Sequence, residues 1–169
     1  MKNYYLFILI LAGNYALPIY AGKRICTYDA TLTFAAALSN KKPDKIIRNN
    51  GKGLLNCSKL AMTSLDGIKK YKFNKLHHLD FSHNLLTDLC ELLHIKNFSV
   101  LTIDLSNNHF DSIDGADLNQ LLTNFAALNY INLENNPLTV KNIISIKNML
   151  KQHLEYHAVK ITFPKLNAK

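Results

Sequence analysis

The sequence predicts an α/β fold in which short parallel strands stack side by side, and three observations carry that reading. Residues 79–89 (LDFSHNLLTDL), 103–113 (IDLSNNHFDSI) and 131–141 (INLENNPLTVK) superpose when the chain is slid against itself. Asn84, Asn108 and Asn136 fall in one column of that superposition, 24 and 28 residues apart, each preceded by apolar residues five and three positions back. Between the copies, Leu118, Leu121, Leu122 and Phe125, and then Ile143, Ile146, Met149 and Leu150, recur at helical spacing. Composition agrees: 28 Leu and 20 Asn stand against only 6 Gly and no Trp in 169 residues, two residue types used on a schedule. A hydrophobic fraction of 48% supplies a core and excludes wholesale disorder.

Each element follows from local chemistry. Alternation such as Leu79 and Phe81 against Asp80 and Ser82 turns one side of a short strand inward. The chain must then bend with backbone groups out of reach of water, each costing about 1–3 kcal/mol if unsatisfied. An asparagine offers both donor and acceptor, so Asn84, Asn108 and Asn136 are expected to form a structural internal ladder. Residues 55–65 (LNCSKLAMTSL) form an earlier, degraded copy with Leu60 in the asparagine column, and a last copy is expected to begin near Val159, 28 residues after Ile131. Residues 115–128 and 142–154 are the expected helices, whereas the shorter 65–76 and 89–100 connections have room for a turn of helix.

The copies resemble the leucine-rich repeat, whose core reads LxxLxLxxNxL. Leu76, Leu79, Phe81, Asn84, Leu86 and Leu89 fit one copy, and Leu128, Ile131, Leu133, Asn136 and Leu138 fit another. The resemblance spans residues 52–163 and mixes short bacterial-type copies with 28-residue copies similar to the ribonuclease-inhibitor type. It implies a solenoid with a parallel β-sheet on the concave face, helices or turns on the convex face, and binding on the concave face. Residues 22–51, with an expected helix at 31–38, then serve as an N-terminal capping segment, and 164–169 as a C-terminal tail.

Residues 1–21 read as a signal peptide: Lys2 is followed by a nine-residue apolar run from Tyr4 to Ala12, and small residues lead to cleavage after Ala21. The other reading is a buried helix or an N-terminal membrane anchor. The apolar run is too short to span a bilayer. Cleavage leaves Cys26, Cys57 and Cys90, with no CxxC pair for a structural zinc. A Cys26–Cys57 disulfide would close a loop of about 30 residues, worth roughly 3–4 kcal/mol; the alternative is a set of buried apolar thiols.

The net charge of +8 does not form one basic stripe. Residues 23–75 carry 12 Lys/Arg against 3 Asp/Glu, 76–135 carry 1 against 8, and 136–169 carry 6 against 1. The expected register puts Leu54, His78, Thr102 and Tyr130 in one outward column. Beside it run Asn56, Asp80, Asp104 and Asn132, then Ser58, Ser82, Ser106 and Glu134, then Lys59, His83, Asn107 and Asn135. Acids at the centre with basic flanks suit a protein partner bearing a basic patch. The expected partner-binding residues are His78, Asp80, Thr102, Asp104, Tyr130, Asn132 and Glu134, with Tyr130 and His78 as aromatic anchors.

Other chemistries are less well supported. Asp80 and Asp104 on neighbouring strands are about 5 Å apart at the backbone, which can raise one carboxyl's pKa, but a solvated pair is the commoner outcome. There is no GxSxG elbow or phosphate-cradling glycine loop, so no catalytic residue and no cofactor are assigned. His153 and His157 lack a third ligand, and of His77, His78 and His83 near Asp80 two alternate across a strand, so no metal site is assigned either. Lys69, Lys70, Lys72 and Lys75 with Tyr71 and Phe73 form a basic cluster read as a solvated turn rather than a nucleic-acid patch. Asn56-Cys57-Ser58 and Asn97-Phe98-Ser99 match the glycosylation sequon. The expectation is a non-enzymatic, exported leucine-rich repeat protein, secreted or periplasmic, that binds a protein partner. Its Lys-, Asn- and Ile-rich composition, associated with AT-rich bacterial genomes, sharpens this to a host-directed effector. The rival readings are a periplasmic or surface structural protein, and a metal-binding or weakly catalytic one.

Overall fold

In the computed structural model, which describes residues 53–70, 76–97, 99–153 and 159–165, five short strands lie side by side in one parallel sheet. They are β1 (Leu54–Asn56), β2 (His78–Asp80), β3 (Thr102–Asp104), β4 (Tyr130–Asn132) and β5 (Lys160–Thr162), and each pairs with its predecessor in sequence order. The fold is therefore α/β with an all-parallel open sheet. In-register partners run Leu54, His78, Thr102, Tyr130 and Lys160, spacings of 24, 24, 28 and 30 residues.

The spacing reflects what each connection holds. Among the described residues, the two 24-residue steps contain one 3-10 turn each, Ile68–Lys70 and Leu92–His94; the longer steps contain α1 (Gly115–Asn124) and α2 (Val140–His153). Asp114 caps α1 by accepting from the Ala116 N–H at 2.8 Å, satisfying one of the otherwise orphaned first-turn donors. The last strand departs from the 28-residue expectation, because Ile161 rather than Val159 stands opposite Ile131. Helix α2 has 14 residues against 10 in α1. The two-residue offset in strand start preserves alternation, so the same kind of side chain still points inward.

Inward residues form columns. Leu55, Leu79, Ile103 and Ile131 are each at most 1% exposed, and Cys57, Phe81, Leu105 and Leu133 form the next column. Leu118, Leu121 and Leu122 of α1 and Ile143 and Ile146 of α2 join the same core. The helices therefore cover one side of the sheet. Among the described residues no helix is long and apolar enough to cross a membrane.

The expected Cys26–Cys57 bridge needs correction. Cys57 stands where Phe81, Leu105 and Leu133 stand in later strands, so its thiol is buried in the core as an apolar group. Among the described residues, Cys90 is held in a disulfide. Cys26 lies outside the described residues, as do the expected signal peptide, the 22–51 segment, His157, and Tyr71, Lys72, Phe73 and Lys75 of the basic cluster.

Where each strand ends, the chain turns through a left-handed residue: Lys59, His83, Asn107 and Asn135 have φ between 54° and 59°. The next residue is Leu60 in the first turn and the asparagine of the ladder in the other three. Asn84 Oδ1 accepts from the Leu60 and Met62 N–H groups at 3.0 and 3.1 Å, and Nδ2 donates to the Cys57 and Phe81 carbonyls at 2.9 Å. Asn108 likewise accepts from Leu86 N–H at 3.0 Å and donates to the Phe81 and Leu105 carbonyls at 3.0 Å. Asn136 accepts from Phe110 N–H at 3.2 Å and donates to Leu105 and Leu133. Each carboxamide therefore ties its own turn to the preceding one.

Replacing Asn108 by Ala leaves the Leu86 N–H without its acceptor in a dry turn and removes one of the two carboxamide donors at the Phe81 and Leu105 carbonyls, so the chain should lose about 1–3 kcal/mol. The exposed Asn148→Ala control should lose less than about 0.5 kcal/mol in the same urea titration. Equal losses would mean that the ladder contributes nothing specific.

Candidate binding face

The side of the sheet away from the helices presents the outward columns in the expected register, extended by β5. One reads Leu54, His78, Thr102, Tyr130 and Lys160, and the other Asn56, Asp80, Asp104, Asn132 and Thr162. Ser58, Ser82, Ser106 and Glu134 follow two residues further along each chain. All seven expected partner-binding residues share this face, with His78, Asp80, Thr102, Asp104, Tyr130 and Asn132 partly buried and Glu134 exposed.

The second column does a local job that sequence reasoning missed. Asn56, Asp80, Asp104 and Asn132 each accept through Oδ1 from the backbone N–H two residues on, at 3.0, 3.0, 2.8 and 3.1 Å. The Ser58 and Ser82 hydroxyls donate to the same oxygens at 2.9 and 2.7 Å. These are Asx turns, which bend the chain out of the strand toward the asparagine ladder. The recurring Asn/Asp-x-Ser pattern was the available signal. Asn97 uses it as well, accepting from Ser99 N–H at 2.8 Å and from its hydroxyl at 2.9 Å, so both sequons coincide with this turn.

Cross-strand bonds then order the face. Asn132 Nδ2 donates to Asp104 Oδ2 at 3.3 Å, and Thr162 Oγ1 donates to Asn132 Oδ1 at 2.8 Å. The Tyr130 and Thr162 hydroxyls are 3.2 Å apart, and a hydrogen bond links His78 Nδ1 to Thr102 Oγ1 at 2.8 Å. Thr162 joins Tyr130, Asn132 and Asp104 into one network, although nothing in its own sequence neighbourhood marked it. Asp80 and Asp104 are direct cross-strand neighbours, each with one oxygen engaged in its turn. Glu134 continues the negative charge toward the exposed turns.

The histidines do not converge. His77 is exposed and bonded through Nδ1 to the Ser99 carbonyl at 2.9 Å, His78 lies on the open face, and His83 sits in the turn. Among the described residues, no group of three or more His, Cys, Asp or Glu side chains is placed to hold a metal ion. A separate open groove of about 440 Å³ lies beside the start of α1, lined by Asp88, Asp114 and Asp117 among mostly polar neighbours. In comparisons with known proteins, no protein-family model and no curated protein matches the chain.

Because the Asx turn needs an acceptor oxygen rather than a charge, Asp80→Asn should leave the melting midpoint nearly unchanged, whereas Asp80→Ala should cost about 1–2 kcal/mol. Thermal denaturation of the two variants separates the roles. Equal destabilisation by Asn and Ala would show that the charge holds the turn.

Proposed function

We propose that the chain is an exported leucine-rich repeat solenoid that acts as a non-enzymatic protein-binding module, receiving a basic patch of its partner on the concave side of the sheet. The supporting observation is the alignment of Asp80, Asp104 and Glu134 on a helix-free face, with Tyr130 and His78 beside them. Its side chains are already tied by cross-strand bonds, so little rotamer entropy remains to be lost on binding. Regions of net positive charge flank the acidic centre, which disfavours a uniformly basic or acidic partner and sets orientation. The repeat pattern supports the solenoid: inward columns, left-handed turns and ladder asparagines recur together at 24- and 28-residue steps. Residues 1–21 support export, and the composition points to a bacterial, host-directed role.

Two measurements test this. A photo-crosslinking residue at Tyr130 should capture a protein of basic surface, and Asp80→Asn with Asp104→Asn, which keep both Asx turns, should weaken capture by about tenfold. Capture that ignores both changes would move binding off this face. Intact mass of protein from its native source should begin at Gly22 outside the cytoplasm; a full-length cytoplasmic species would remove the export reading.

A further inference from the structure

Among the described residues β5 is the last strand of the sheet, and its outer edge has a chemistry of its own. In a parallel ladder, successive residues direct their backbone groups to opposite sides. The Lys160 N–H donates to the Asn129 carbonyl and the Thr162 carbonyl accepts from the Leu133 N–H, both at 2.9 Å. Those residues bond toward β4, so the N–H and C=O of Ile161 point away from the sheet. Among the described residues no strand pairs with that side. Packing marks the same edge: Ile131 is 1% exposed, whereas its register partner Ile161, with Val159 and Phe163, is only partly buried.

Among the described residues, the charge after β4 is of one sign. Lys141, Lys147, Lys151, Lys160 and Lys165 are exposed, and beyond Glu134 the described residues include no Asp or Glu. The Lys147 ammonium lies 5.4 Å from the centre of the Phe163 ring, which puts positive charge at the end of the stack itself.

We propose that the β5 edge is a docking site for an extended acidic segment of a protein partner, which adds to the sheet as a sixth strand. Backbone bonds to Ile161 supply the register, and alternation divides the segment's side chains. Those on the core side cover Ile161 and Phe163 and are apolar; those on the open side meet Lys160 and are acidic. The chain's own residues 1–52 are a poor occupant, because they carry 8 Lys/Arg against 2 Asp/Glu. A second copy is also poorly matched. Its acids at Asp80 and Asp104 lie on strands already paired on both sides, and those at Asp114 and Asp117 belong to the start of α1.

This surface is distinct from the face bearing Asp80 and Asp104, and the test keeps them apart. Full-length protein is titrated with a fluorescent peptide of about ten residues, enough for one strand, alternating Val and Glu. Saturable binding is expected, weakened about tenfold by Lys147→Glu with Lys160→Glu, and unchanged by Asp80→Asn with Asp104→Asn. Both lysines are exposed, and an unaltered melting midpoint confirms folding; the milder Lys160→Gln should weaken binding by a smaller factor. The same peptide N-methylated at alternate residues should not bind. The proposal fails if the Val–Glu peptide does not bind, if a Val–Lys peptide binds as tightly, or if N-methylation has no effect. It also fails if sedimentation shows a stable dimer that excludes the peptide.

Discussion

A tight turn between stacked strands leaves backbone N–H and C=O groups where water cannot reach them, and this constraint organises the rest of the structure. One carboxamide meets it at each step. Asn84, Asn108 and Asn136 are at most 5% exposed, and each links the carbonyls of its own turn to backbone groups of the turn before. A hydrophobic residue in that place could fill the volume but could not satisfy those groups. The degraded first copy illustrates the point. Leu60 occupies the asparagine column there, its N–H is accepted by Asn84 of the next copy, and the following Ala61 takes up a left-handed conformation.

The same demand shapes the open face. An acidic or amide residue at the end of each strand begins the bend by accepting from the backbone two residues on, so Asp80 and Asp104 have a structural reason to be where they are. Their charge is an additional property, since Asn56 and Asn132 build the same turn without it. Architecture therefore restricts this column to short side chains with an acceptor oxygen, and charge can vary within that set. The neighbouring His78, Thr102, Tyr130 and Lys160 column carries no such turn restriction and varies freely in size and charge.

Further cross-links lie on the helix side. Asn142 exchanges two bonds with the Ile113 backbone, at 2.8 and 3.0 Å, and Asn124 donates to the Leu93 carbonyl at 2.7 Å. Each joins a connection to the one before it. The stack is thus held by backbone pairing at the sheet, by carboxamides at the turns and by carboxamides again beside the helices. Each layer contacts mainly its neighbours, which among the described residues leaves β5 as an edge with partly covered apolar residues.

Strand positions, inward columns and the ladder asparagines were legible in the sequence because each depends on a short local period: alternation within a strand and a fixed offset from Leu79, Ile103 or Ile131 to its asparagine. The outward columns followed for the same reason. Only the tertiary structure decided what depends on distances between copies. The length of α2 put Ile161, not Val159, opposite Ile131. That register brought Thr162 to Asn132 and Tyr130 and, among the described residues, put Ile161 on the outer strand of the sheet. Cys57 could be read equally as a bridging or a buried residue until its column filled with Phe81, Leu105 and Leu133. Periodicity specifies which way a side chain points; the partner it meets is set by the connection lengths and the packing of the whole stack.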